Sequence, residues 1–146
     1  MQGPTVTLRG AADSLSYVET LLEANGLPSR DVRSKPDCFY VGYADGDALG
    51  VGGVETYENS GLLRSVAVEE SARGEGYGTA LCDALEAEAR DAGVGTLYLL
   101  TTTAAVFFAG RGYEELERAD APAEIRRTTE FEELCPASAV CMRKSL

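Results

Sequence analysis

The most constraining stretch of this chain is short: Arg73-Gly74-Glu75-Gly76-Tyr77-Gly78, with an apolar run before it and an amphipathic one after it. Leu62 to Val68 reads as a strand. Thr79 to Ala92 reads as a helix with Leu81, Cys82, Leu85, Ala89 and Ala92 on one face. A glycine-rich turn between a strand and a helix start is an anion site. Glycines let the backbone curl, the freed N–H groups point at oxygens, and the helix start adds roughly half a positive charge. Spacing excludes two other glycine motifs. A phosphate-binding P-loop needs Lys-Ser/Thr after its last glycine, and Gly78 is followed by Thr79-Ala80. A dinucleotide fingerprint needs G-x-G-x-x-G, whereas here the order is Gly74-x-Gly76-x-Gly78.

The remaining pattern surrounds this unit with strands. Thr5 to Arg9 reads as a short strand, and Asp13 or Ser14 caps a helix carrying Leu15, Val18, Leu21 and Leu22. Asn25-Gly26 stops that helix, and one more helical turn is read at Ser29 to Val32. Cys38 to Tyr43, Ala48 to Tyr57 and Leu62 to Val68 form a meander turned at Asp45-Gly46-Asp47 and at Glu58 to Gly61. Beyond the loop at Glu69 to Gly78 and its helix come a strand at Thr96 to Leu100, a short helix at Ala104 to Ala109 and a strand at Tyr113 to Glu117. Arg118 to Leu134 is polar, with a short helix near Ala123 to Thr128, and Ala137 to Arg143 is the last strand. With no repeat and no linker, residues 1–146 are expected to form one α/β domain.

Composition narrows the function. The chain has 24 acidic and 13 basic residues, a net charge of -11, and its only lysines are Lys35 and Lys144. So negative a field argues against nucleic acid and anionic membranes as partners. A GC-rich genome explains arginine in place of lysine; a halophile's cytoplasm explains that and the surplus of acid together. No run approaches the ~18 apolar residues of a membrane span. Met1-Gln2-Gly3-Pro4 does not open a signal peptide, so a cytoplasmic location is expected. The chain has no histidine, which removes Ser-His-Asp and Cys-His machinery and the commonest zinc sites, and no metal is expected. Cys38, Cys82, Cys135 and Cys141 form no Cys-x-x-Cys pair and read as free, mostly buried thiols rather than an arsenite site.

In this context the turn resembles the signature of the GNAT acetyltransferase superfamily, Arg/Gln-x-x-Gly-x-Gly/Ala after a strand ending in an apolar V-A-V run. Arg73, Gly76 and Gly78 match it, as does Ser65-Val66-Ala67-Val68 before it. Phe107-Phe108-Ala109-Gly110-Arg111-Gly112-Tyr113 looks like the family's F-Y-x-x-x-G-F/Y segment. The resemblance implies a mixed, mostly antiparallel sheet flanked by helices, with acetyl-CoA as cosubstrate at the strand–glycine loop–helix unit. It implies that the backbone of Val66 and Val68, around Ala67, pairs with the pantetheine arm. Arg73, Gly74, Glu75, Gly76, Tyr77, Gly78 and Thr79 would hold the diphosphate, and Phe108 would lie at the cofactor. Three pieces, Leu62 to Val68, Leu97 to Ala104 and Leu134 to Met142, are further similar to the arsenic-resistance N-acetyltransferase family, which suggests a small amine-bearing acceptor.

Acetyl transfer to an amine needs a neutral nucleophile, a donor for the carbonyl oxygen and a proton for the leaving thiolate. Many relatives place an acid tyrosine where this chain has Phe108. Thr101, Thr102, Thr103, Tyr113 and Cys141 are the replacements in reach; Tyr113 reads better as core, and the threonines also suit a cap for the helix at Ala104. Thr103 is taken as the catalytic hydroxyl and Thr101 as a substrate contact. Glu55, inside a strand, is the first choice of base, against an outward-facing reading. Arg64 would offer its fork to a carboxylate, either the substrate's or that of Glu55. Arg126-Arg127 reads as solvated surface. The expected protein is a monomeric or homodimeric N-acetyltransferase of small-molecule amines. The alternatives are a non-catalytic acyl-CoA-binding or sensory module, for which Phe108 speaks, and a protein acetyltransferase.

Overall fold

A computed structural model describes residues 4–146; Met1-Gln2-Gly3, on which the signal-peptide reading rests, lie outside the described residues. Among the described residues seven strands hydrogen-bond in the order β1-β2-β3-β4-β5-β7-β6. They are β1 (Thr7–Gly10), β2 (Phe39–Ala44), β3 (Asp47–Tyr57), β4 (Ser60–Val68), β5 (Thr96–Thr101), β6 (Glu114–Leu116) and β7 (Val140–Ser145). The helices are α1 (Leu15–Ala24), α2 (Tyr77–Asp91), α3 (Ala105–Gly110) and α4 (Ala123–Arg126). This is the mixed, mostly antiparallel architecture expected. The chain packs as two compact units, one of residues up to Val54 with Ser65–Glu88, the other of Glu55–Arg64 with Ala89–Leu146. β3 and β4 each run through both.

In the first unit β1, β2 and β3 pair antiparallel. The β2–β3 turn places Asp45 at φ 53 and Gly46 at φ 84, the left-handed pair that an Asp-Gly hairpin requires. α1 buries Val18, Leu21 and Leu22 against Phe39, Val41, Val51 and Ala67. Ser14 stands at its N-cap position but makes no side-chain capping bond. α2 buries Leu81, Cys82, Leu85 and Ala89. It lies so close to the strands that a Cβ on Gly52 would sit 2.4 Å from Leu85 Cδ1. Burial at ~25 cal/mol per Å² of apolar surface is what holds both helices.

In the second unit β5 pairs parallel with β4, Ser60 to Leu62 opposite Thr96 to Tyr98, and antiparallel with β7 over its whole length. Leu62, Tyr98, Ala121, Ile125, Phe131 and Cys141 form its core.

Several boundaries differ from the sequence expectation. α2 starts at Tyr77 rather than Thr79 and ends at Asp91, so Ala92 is exposed instead of joining the apolar face. The last strand is shifted to Val140–Ser145, where it pairs with β5. The polar stretch Arg118 to Leu134 supplies core: Ile125 on α4 and Phe131 on a π-helical turn (Glu130–Leu134) are both buried. These two apolar residues sit on separate short turns, so no hydrophobic period marks them.

Candidate active site

The glycine turn lies in the first unit. Gly74 takes φ 80 and Gly76 φ 85, conformations that side chains rarely adopt. Gly74 and Gly78 also face open space: a Cβ on either would meet nothing within 4 Å. That separates them from Gly50 and Gly52, whose Cβ atoms would collide with the Ala67 carbonyl oxygen at 2.6 Å and with Leu85. Protein packing requires the strand glycines. Gly74 and Gly78 instead stand in open space beside the first turn of α2, and Gly74 and Gly76 adopt positive φ. Arg73, Glu75 and Thr79 are exposed around the turn, and Tyr77 is half-buried. The Arg73 guanidinium reaches the Val68 carbonyl from Nε at 3.4 Å and donates to Asn25 Oδ1 from Nη2.

β4 leads into the turn through a distortion. Ser65, a non-glycine residue in mid-strand, has φ 56. Such a residue costs of order 1 kcal/mol and persists only where its surroundings hold it. Leu62 and Arg64 before it are buried, Ala67 after it packs on Val41 and Val51, and Val66 and Val68 are half-exposed.

The second unit contains a buried ionic cluster. Glu55 is 2% exposed, Arg64 3% and Glu130 4%. Arg64 Nη1 donates to Glu55 Oε2 at 2.8 Å, and Arg64 Nε lies 3.7 Å from Glu130 Oε1. The Tyr57 hydroxyl donates to Glu55 Oε1. The outward-facing reading of Glu55 is therefore overturned, and the Arg64 fork serves carboxylates of the chain itself. Glu130 and Tyr57 were missed by the sequence reading. Nothing local marks Glu130. Tyr57 was findable, since residues two apart on a strand share a face.

The hydroxyl candidates separate. Thr101 Oγ1 accepts the Ala104 amide at 2.9 Å, which ties down the turn before α3, although the helix itself has no side-chain cap. Thr102 and Thr103 are exposed. Phe108 is 8% exposed and packs edge-on against Tyr113, itself core, with ring centroids 5.3 Å apart. Burial raises the Cys141 thiol to about 11. Burial, reinforced by Glu130, pushes the Cys135 thiol up to about 12. Both are neutral thiols at pH 7. Arg126 and Arg127 are exposed. No group of three or more His, Cys, Asp or Glu suited to a metal ion occurs among the described residues.

A family model for the acetyltransferase (GNAT) domain matches residues 35–115, more than half of the chain and all of the glycine turn. The chain belongs to the GNAT acetyltransferase family. It is an acyltransferase. No curated protein sequence matches it. Among solved structures, Rv2747 of Mycobacterium tuberculosis, in complex with CoA, is similar over 96% of this chain and 99% of its own, with 23% identity and a TM-score of 0.78. N-acetylglutamate synthase of Neisseria gonorrhoeae, with coenzyme A and N-acetyl-glutamate, is 21% identical with a TM-score of 0.79. The match covers 99% of this chain but 36% of the synthase. IAA acetyltransferase of Bacillus cereus is 18% identical with a TM-score of 0.68, covering 97% of this chain and 100% of that one. At these identities the likeness is one of GNAT fold. No helix among the described residues is long and apolar enough to cross a membrane.

Proposed function

We propose that this GNAT domain transfers the acetyl group of acetyl-CoA directly to the amine of a small molecule. The observation that carries this reading is the open glycine turn: Gly74 and Gly78 have space where a Cβ would stand, at the start of α2 and beside the exposed Arg73. Backbone amides of Arg73 to Thr79 would take the diphosphate, and the edge of β4 at Val66 and Val68 the pantetheine amides. The left-handed Ser65 supports the second assignment, because it breaks the regular strand just before those residues. Ala67 and Phe108 enter as packing beside the cofactor.

In the reaction the amine nitrogen bonds to the thioester carbonyl carbon, the C–S bond breaks, and the amine loses a proton while CoA leaves as thiolate and then thiol. Glu55 is the proposed proton acceptor. Its oxygens are engaged by Tyr57 and Arg64, so a proton reaches it through the phenol. As the Tyr57 oxygen takes the ammonium proton, its own proton passes to Glu55 Oε1. Arg64, held by Glu130, fixes the carboxylate in place. Thr103 is the exposed hydroxyl assigned to hydrogen-bond the leaving sulfur, while Thr101 shapes the segment that presents it.

A small amino-acid-like or arsenic-linked amine is the finer reading of the acceptor. It is supported by the resemblance of Leu62 to Val68, Leu97 to Ala104 and Leu134 to Met142 to the arsenic-resistance family. Release of CoA thiol from acetyl-CoA, assayed against amino acids, monoamines and basic peptides, tests the proposal. Thiol release with a small amine and not with peptides is expected. CoA binding without turnover on any amine would overturn it in favour of a binding module.

A further inference from the structure

α1 is tied near both of its ends to the segment that leads into the glycine turn. Near its start the Tyr17 hydroxyl donates to Glu69 Oε1 at 2.6 Å. At its C-cap, Asn25 uses both ends of its amide: Nδ2 donates to the Leu21 carbonyl at 2.8 Å, and Oδ1 accepts from Arg73 Nη2. With Nε directed at the Val68 carbonyl, the Arg73 side chain is held along its Nε–Nη2 edge. Nη1 takes no partner among the described residues.

We infer that Asn25 is a positioning residue for the cofactor: it holds the Arg73 guanidinium beside the turn so that Nη1 meets the diphosphate of CoA. The inference rests on the reading of the turn as the diphosphate site. Two physical points carry it. First, an exposed arginine loses rotamer freedom when it closes on an anion, and a side chain already fixed loses less. Second, Glu69, Glu70 and Glu75 lie within four residues of Arg73 along the chain, where an ion pair would neutralise the guanidinium. A neutral amide holds Arg73 without cancelling the charge that the diphosphate needs, and the Tyr17 bond ties Glu69 to α1.

The experiment is a calorimetric titration of CoA into the full chain and its variants, with melting temperatures to confirm folding. Arg73→Ala should raise the Kd about 10–100-fold, as loss of a charge-assisted contact does. Asn25→Gly, a residue that helix ends accept, should raise it about 3–10-fold through loss of one hydrogen bond. Asn25→Asp should weaken binding at least as much, because its carboxylate neutralises Arg73. The double variant Asn25→Gly/Arg73→Ala should bind no worse than Arg73→Ala alone, since Asn25 acts only through the guanidinium. A purely structural Asn25 would add its full penalty to the double variant, which overturns the inference, as does an unchanged Kd in Asn25→Gly. A wild-type chain that binds no CoA overturns instead the reading of the turn.

Discussion

Replacing Arg64 with methionine should be among the most damaging single changes in this chain. Two ion pairs of nearly equal length differ in burial. Arg64–Glu55 measures 2.8 Å with the side chains 0% and 2% exposed; Arg33–Glu19 measures 2.9 Å at 59% and 27%. In water the Coulomb term is small and salt screens it, so loss of the Arg33 pair should cost about 1 kcal/mol at most. In the interior, deleting the guanidinium removes the cation that Glu55 pairs with and that Glu130 approaches, and breaking such a pair costs about 3–5 kcal/mol. For a domain of this size, 1 kcal/mol corresponds to roughly 2–4 °C, so the melting temperature should fall by about 6–20 °C. Urea unfolding of wild type, Arg64→Met and Arg33→Met at one pH and ionic strength measures this directly. Adding Glu55→Gln to Arg64→Met should recover part of the loss, because one stranded charge is removed. If Arg64→Met matches Arg33→Met, the cluster is hydrated and the burial argument fails.

Tyr17 titrates well above the ordinary phenol range near 10, first through burial and then through its bond to Glu69. A raised folded-state value means that its contribution is complete below pH 10 and lost as pH rises past it. The alkaline fall in stability should therefore be shallower in Tyr17→Phe than in wild type, and parallel curves would refute it. Cys135 and Cys141, at about 12 and about 11, should react with a thiol reagent at pH 7.5 more slowly in the native protein than in urea; equal rates would contradict the burial of Cys141 and the partial burial of Cys135. With 24 acidic residues against 13 basic ones, the melting temperature should rise from low salt to molar salt. A flat or falling curve removes the salt-adaptation reading and leaves codon bias.

What the sequence disclosed was what local chemistry determines. The glycine turn could be read because positive φ at Gly74 and Gly76 restricts residue type, and the apolar face of α2 because its period is unbroken from Leu81 to Ala89. The Asp-Gly hairpin followed for the same reason. The left-handed Ser65 could not be read, since serine carries no mark of that conformation and its surroundings impose it. Nor could the partnership of Arg64 with Glu130, which joins residues far apart along the chain through a π-helical turn without hydrophobic period. The sequence leaves the Arg64 fork open between a substrate carboxylate and Glu55, and whether the strand turns Glu55 inward depends on register, which a slip of one residue reverses.

On the proposed reading, the backbone of the glycine turn holds CoA. Gly76→Val puts this to the test: a side chain there must adopt φ 85, with its Cβ in contact with Pro4 at 3.4 Å. Calorimetric titration of CoA, on protein shown to be folded by its melting curve, should give saturable binding to wild type and none detectable to Gly76→Val. Equal CoA affinity in the two proteins would contradict the account.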